Sequence, residues 1–190
     1  MSWNRFLRGA DLKGANLRCV DLRDARLKWK DLSGADLTNA NLEGVNLSHA
    51  NLTRTDLSTA YLSNANLSHA TLTRANLRYT DLSRADLSYA DLRGANLSSS
   101  VLCGANLNHA NLSTLDYLGA DLSYADLRGA NLSCANLRNA RIEEVPEVVF
   151  EVDHRPIWER NAKWHGVDLR GAIWTNGEVV GEDGLRPSER

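Results

Sequence analysis

The chain has 190 residues, a formal net charge of −2, 43% hydrophobic residues and only 6% aromatic ones. That length suits one ordinary domain with its own core, and the near-zero charge excludes a large electrostatic pull toward nucleic acid or anionic lipid. No apolar run is long enough to span a membrane, and the opening MSWNRFLRGADL lacks the apolar centre of a secretion signal.

Charge is uneven along the chain. Residues 1–30 hold eight Lys/Arg against three Asp, a net of +5, with Arg18, Arg23, Arg26, Lys28 and Lys30 prominent. Residues 31–140 hold seven basic against ten acidic, a net of −3, and residues 141–190 seven against eleven, a net of −4. Cys19, Cys103 and Cys134 are odd in number and lack metal-ligand spacing. They read as reduced thiols, so a cytoplasmic protein without a metal or other cofactor is expected.

From Leu7 to Leu137 every fifth residue is Leu, with Tyr117 the sole exception. A small residue, usually Ala, stands two before each Leu, with Asp or Asn between, and two variable residues follow. The unit is A-(D/N)-L-x-x, running about twenty-seven times without a gap. A helix cannot use it, because five residues rotate a helix by roughly 140° and scatter the leucines. Strand alternation does fit: Ala and Leu point to one side and Asp/Asn to the other. The second variable position holds many glycines, such as Gly9, Gly14, Gly34 and Gly44, which supply a corner. A chain bending the same way every five residues, apolar side inward, must wind into a coil.

The runs ADLKGANL (10–17) and ADLSYADLRGANL (85–97) resemble the pentapeptide-repeat proteins over about residues 5–145. The resemblance implies an all-β fold, a right-handed four-sided parallel β-helix with twenty residues per coil and a small C-terminal cap. Residues 5–140 then make about seven coils, a rod about 33 Å tall at strand spacing. NLSHA recurs at 46–50 and 66–70, in step with that period, whereas SYADLRGANLS at 88–98 returns at 123–133, thirty-five residues on.

Irregular units carry the information that folding does not explain. Lys30 stands at an inward Ala position, so a bulged corner or a snorkelling side chain is expected. Leu115 and Tyr117 are expected to widen one unit, with Leu118 outside as a small apolar knob. Twenty-residue stacking lines up Trp29, His49, His69, Tyr89 and His109, with Gly9 and Gly129 at the ends. That column reads either as a stacking ladder that stabilises a corner or as a partner-binding stripe; metal binding is the poorest alternative. Arg54 and Arg74 stack on the next face. The basic first coils read as a solvated end that discourages end-to-end stacking.

Residues 1–145 are therefore expected to form the β-helix, with Trp3 and Phe6 covering its first coil. Residues 146–180 form a capping segment. Within it VVFEV (148–152) reads as a strand, PIWERNAKW (156–164) as a short helix, and VDLRGAIWTNGEVV (167–180) as one more face with a hairpin. The polar tail 181–190 is expected to be disordered. Trp158, Trp164 and Trp174 suit a covered coil end, with a homodimer contact as a further use.

No phosphate-cradling, dinucleotide, zincin or nucleophile-elbow motif occurs, so the chain is not expected to be an enzyme. A rigid rod with an editable surface suits protein–protein interaction, which is the leading expectation. The resemblance offers an alternative: some family members mimic DNA and occupy the DNA site of DNA gyrase. An acidic stripe of Asp11, Asp31 and Asp91 would serve that role. A structural rod without a specific partner is the third reading. Direct nucleic-acid or membrane binding is not expected.

Overall fold

The structure, a computed structural model, describes residues 7, 9–113, 119–123, 125–127, 130–138, 140, 141, 169, 170, 172, 173, 179 and 180. The corner is the smallest repeating piece. In it the carbonyl of each Leu accepts the N–H of the small residue three positions on, as from Ala35 to Leu32 and from Ala65 to Leu62, both at 3.0 Å. Among the described residues, left-handed backbone occurs at the second variable position alone, with φ from 56° at Cys19 to 83° at Gly9. A turn left-handed at its third residue alone is type II, the turn that favours Gly or Asn there. His, Tyr, Arg and Thr also occupy this position, at a backbone cost of roughly 1–2 kcal/mol each. Space around Gly34 is open, so Gly34→Ala isolates that cost. The expected loss is about 1 kcal/mol, read by thermal or urea melting; an unchanged midpoint would contradict the turn type.

Asp and Asn at the middle position do more than face outward. Their Oδ1 accepts the backbone N–H two residues on, at 2.9 Å from Ser33 to Asp31 and from Ser68 to Asn66. A short acceptor side chain is what reaches this donor at the mouth of the turn. Amides also bridge coils: Asn51 Nδ2 donates to Asp31, Asn76 to Asp56 and Asn106 to Asp86.

Successive units then stack in parallel, each residue bridging the one twenty further on, as Asn16 to Asp36 and Asp31 to Asn51. Four bridging positions pass before the pattern repeats, so the coil has four sides. Face one runs through Asn16, Asp36 and Asp56; face two through Asp21, Asn41 and Tyr61. Face three runs through Arg26, Asn46 and Asn66; face four through Asp31, Asn51, Thr71 and Asp91. Leucines from Leu22 to Leu112 fill the axis and are wholly buried. Each contributes roughly 1.5–3 kcal/mol, which makes the column a sufficient core.

Polar residues at the inward small position are hydrogen-bonded. Thr55 and Thr80 replace Ala, and each hydroxyl donates to the Leu carbonyl twenty-three residues back, Leu32 and Leu57, at 2.8 Å. Lys30 follows the same rule: its Nζ donates to the Leu7 carbonyl at 3.1 Å. Its backbone keeps the regular bonds to Leu27 and Asn51, so snorkelling, not a bulge, accommodates the half-buried lysine.

One expectation is overturned. The Ala120 N–H reaches back to the Leu112 carbonyl at 3.0 Å, closing a corner that elsewhere spans three residues. Beyond it the bridges run Asn96 to Asp121 and Val101 to Asp126, twenty-five residues apart. Between Ser113 and Gly119 the ladder of bridges thus skips five residues, and the repeat does have a gap. Residues 114–118 themselves lie outside the described residues.

Past the last full coil, Leu169, Arg170, Ala172 and Ile173 return to the pattern. Leu169 and Ala172 are buried, and the Leu137 N–H donates to the Ile173 carbonyl at 2.7 Å. Ile173 bridges Asn136 in parallel and Val179 in antiparallel, so a further face-four segment with a hairpin arm lies on the last coil. The expected strand at 148–152, helix at 156–164, N-terminal cover by Trp3 and Phe6, and tail 181–190 lie outside the described residues.

Candidate protein-interaction site

A left-handed corner residue points its side chain away from the rod, and the coil repeat sets the next one about 4.8 Å above it. Rings at successive corners between faces three and four therefore meet face to face. Trp29 and His49 stack with centroids 3.9 Å apart and 9° between planes. His49 to His69, His69 to Tyr89 and Tyr89 to His109 follow at 4.8, 4.9 and 4.7 Å, none tilted by more than 10°. The five residues aligned on paper form one continuous stack. Trp29 is 67% and Tyr89 52% exposed, so ring edges with N–H and O–H groups line the corner. Above His109 the register break puts the exposed Cys134 in place of Gly129, because the His109 N–H donates to the Ser133 carbonyl.

Desolvation pushes the His49 imidazole below its ordinary pKa of 6.5, and His69 and Lys28 add to the effect. A depressed imidazole binds its proton better in the unfolded chain. Its contribution is therefore fully present above about pH 6.5 and is lost as pH falls from there through the folded pKa. The melting temperature should drop between pH 7.5 and pH 5.5, and His49→Asn, which tolerates the left-handed corner, should flatten the drop. An equal drop in both proteins would remove His49 as the cause.

The acidic stripe is a different object in space. Asp31 and Asp91 belong to face four, with Asn51 and Thr71 between them, and Asp11 lies one coil before Asp31, where the Gly14 N–H donates to the Ser33 carbonyl. Arg93 grips Asp91 at 2.8 and 2.6 Å. Bonds from Ser33, with help from Lys13 and Asn51, hold the Asp31 carboxyl below its usual range. Carboxylates elsewhere are answered too: Arg18 lies 3.1 Å from Asp36, and Arg23 brings Asp21 down to about 2. Among the described residues no cluster of three or more His, Cys, Asp or Glu side chains is placed to hold a metal ion.

Tyr61 and Val101 are exposed on face two with Asp81 between them, and Tyr79 is exposed at the corner before Asp81, the Arg78 guanidinium 5.2 Å from its ring centre. This was legible in principle. Tyr61 and Val101 replace Asp/Asn at positions forty residues apart, hence on one face.

A family model for pentapeptide repeats matches in eight copies, over residues 4–29, 31–68, 40–78, 80–114 and 119–145. The chain is a pentapeptide-repeat protein. Its fold is the right-handed quadrilateral β-helix of that family. Among solved structures it is similar to HetL of the cyanobacterium Nostoc, a pentapeptide-repeat protein involved in heterocyst differentiation regulation. Identity is 37%, covering 90% of this chain and 74% of HetL, with a TM-score of 0.39. It is also similar to QnrB1, a plasmid-mediated fluoroquinolone resistance protein, at 15% identity, with 90% and 88% coverage and a TM-score of 0.55, a likeness of fold alone. No curated protein sequence matches the chain.

Proposed function

We propose that this pentapeptide-repeat protein is a non-enzymatic protein-binding rod whose contact centres on the corner column Trp29, His49, His69, Tyr89 and His109. The observation behind it is the unbroken five-ring stack on left-handed corners. Glycine would sit there without strain, and large amphipathic rings with exposed polar edges are the side chains that anchor interfaces. HetL, the relative at 37% identity that is involved in heterocyst differentiation regulation, favours a regulatory role. Exposed Cys19 and Cys134 thiols suit a reducing compartment, and the cytoplasm is the proposed location. Val179, 54% exposed on the hairpin arm, is the basis for a homodimer contact at that end.

DNA gyrase is the less favoured partner. A DNA mimic needs a continuous anionic face, whereas Asp91, Asp21 and Asp36 are each matched by an arginine. The test compares partners captured by the wild type and by His49→Asn/His69→Asn/Tyr89→Asn, quantified by mass spectrometry. Loss of a captured protein, with affinity lower by more than about 1 kcal/mol, supports the column. Unchanged capture with a lowered melting temperature would make the stack a structural ladder only. Gyrase supercoiling assays complete the test: inhibition that survives the column variant but fails in Asp11→Asn/Asp31→Asn/Asp91→Asn would favour DNA mimicry.

A further inference from the structure

We propose that the base of the ring column, where Arg26 and Lys28 stand beside the open face of Trp29, receives an aromatic side chain flanked by carboxylates on a partner protein. The inference rests on the column being a protein contact. The stack is covered at Trp29 on one side only. His49 lies over one face of the indole at 3.9 Å. The register that sets Gly14 beneath Gly34, with the Gly14 N–H donating to the Ser33 carbonyl, sets Gly9 beneath Trp29. Space for a side chain at Gly9 is open. Trp29, at 67%, is the most exposed large hydrophobic residue among those described. One coil step of about 4.8 Å accommodates one more stacked ring.

The same unit carries the charge. Residues 25–29 read A-R-L-K-W, with Arg26 and Lys28 both exposed. Among the described residues neither is paired with a carboxylate. Neighbouring carboxylates are engaged: Asp21 by Arg23, Asp31 by Ser33 and Asn51, and Asp24 is partnered as well. Arg26 also stands where the corner uses an acceptor. At Asp11, Asn16, Asp21, Asp31 and Asp36 the side chain accepts the N–H two residues on. A guanidinium has no acceptor, so the Lys28 N–H is open to an outside oxygen. A partner carboxylate takes that place, accepting from the Lys28 N–H and pairing with the Arg26 fork. A chain of phosphates fits less well, because it needs cations along its length. Above Lys28 its column continues as Ser48, Ser68 and Ser88.

The probe is a fluorescein-labelled peptide with one Tyr between two pairs of Glu, titrated with the full chain by anisotropy. Controls carry Ala for Tyr or Lys for Glu. Arg26→Asn/Lys28→Ser copies the outer residues of the unit above, Asn46 and Ser48, and restores the missing acceptor, so folding is retained, and melting curves verify it. Gly9→His fills the slot with a residue that the same column already holds at His49 and His69. The expected result is salt-sensitive binding of the Glu–Tyr peptide, at least tenfold weaker for both control peptides and in both variants. No binding to the wild type, equal binding of the Ala peptide, or unchanged affinity in either variant overturns the proposal. A labelled oligothymidylate that binds more tightly than the peptide overturns the protein assignment. The column reading fails separately, through unchanged partner capture by His49→Asn/His69→Asn/Tyr89→Asn, which leaves Arg26, Lys28 and Trp29 in place.

Discussion

Leu67→Ala should lower stability by about 2–5 kcal/mol, the range for a large buried leucine that leaves a cavity behind. Leu67 is wholly buried among leucines of the coils above and below, and each coil touches only its neighbours. The surrounding backbone is bridged on both sides, Asn66 to Asn46 and to Asp86, so collapse into the cavity is restricted. The opposite change is informative at the small position. Ala65→Leu and Ala90→Leu, both buried to within 1%, should cost about 1–3 kcal/mol by overpacking. Ser63→Leu and Ser88→Leu, half-buried on the outer side, should stay within about 0.5 kcal/mol. Urea denaturation of the set checks the whole assignment. Equal losses at inner and outer sites would mean the interior has been drawn on the wrong side.

Truncation after Ala140 should have the second largest effect, turning a defined particle into associating material. The segment lost includes Leu169 and Ala172, buried on the last coil, and Arg170 and Ile173, whose carbonyls accept the N–H groups of Cys134 and Leu137. Without them the strand end at 132–137 presents open backbone donors and an uncovered apolar axis, the condition that leads solenoids to associate. Sedimentation velocity and light scattering of the truncated chain read the outcome. A truncated protein that remains soluble, with the mass and melting temperature of the full chain, would remove the capping role. Loss of a defined stoichiometry present in the full chain would place the homodimer contact in the same segment.

Much of this was legible because the code is local. An inward Leu and Ala, an Asx side chain and a corner all lie within five residues, so the period alone dictates which side chains fill the axis. Leu22 through Leu112 obey it without exception. The ring column could be written down once the coil was taken as twenty residues, because stacking requires nothing beyond periodicity. The unit itself left several matters open. That Asp31 and Asn66 cap the N–H two residues on depends on turn geometry, which the pattern of inward and outward positions does not contain. Lys30 looked like a strained site until the Leu7 carbonyl, twenty-three residues away, supplied its partner.

By itself, then, the sequence determined the inward column, the corner positions and the membership of the ring stack, since each follows from contacts within one unit or from its repetition. Only the tertiary structure decided which later residues stand above which earlier ones. The bond from Ala120 to Leu112 drops one unit from the coil, shifts by five the partner of each residue paired across it, and sets Cys134 instead of Gly129 above His109. A five-residue period is blind to that shift, because a chain moved by one whole unit presents the same Ala and Leu to the core. Closure of the coil against its neighbour is what distinguishes the two registers.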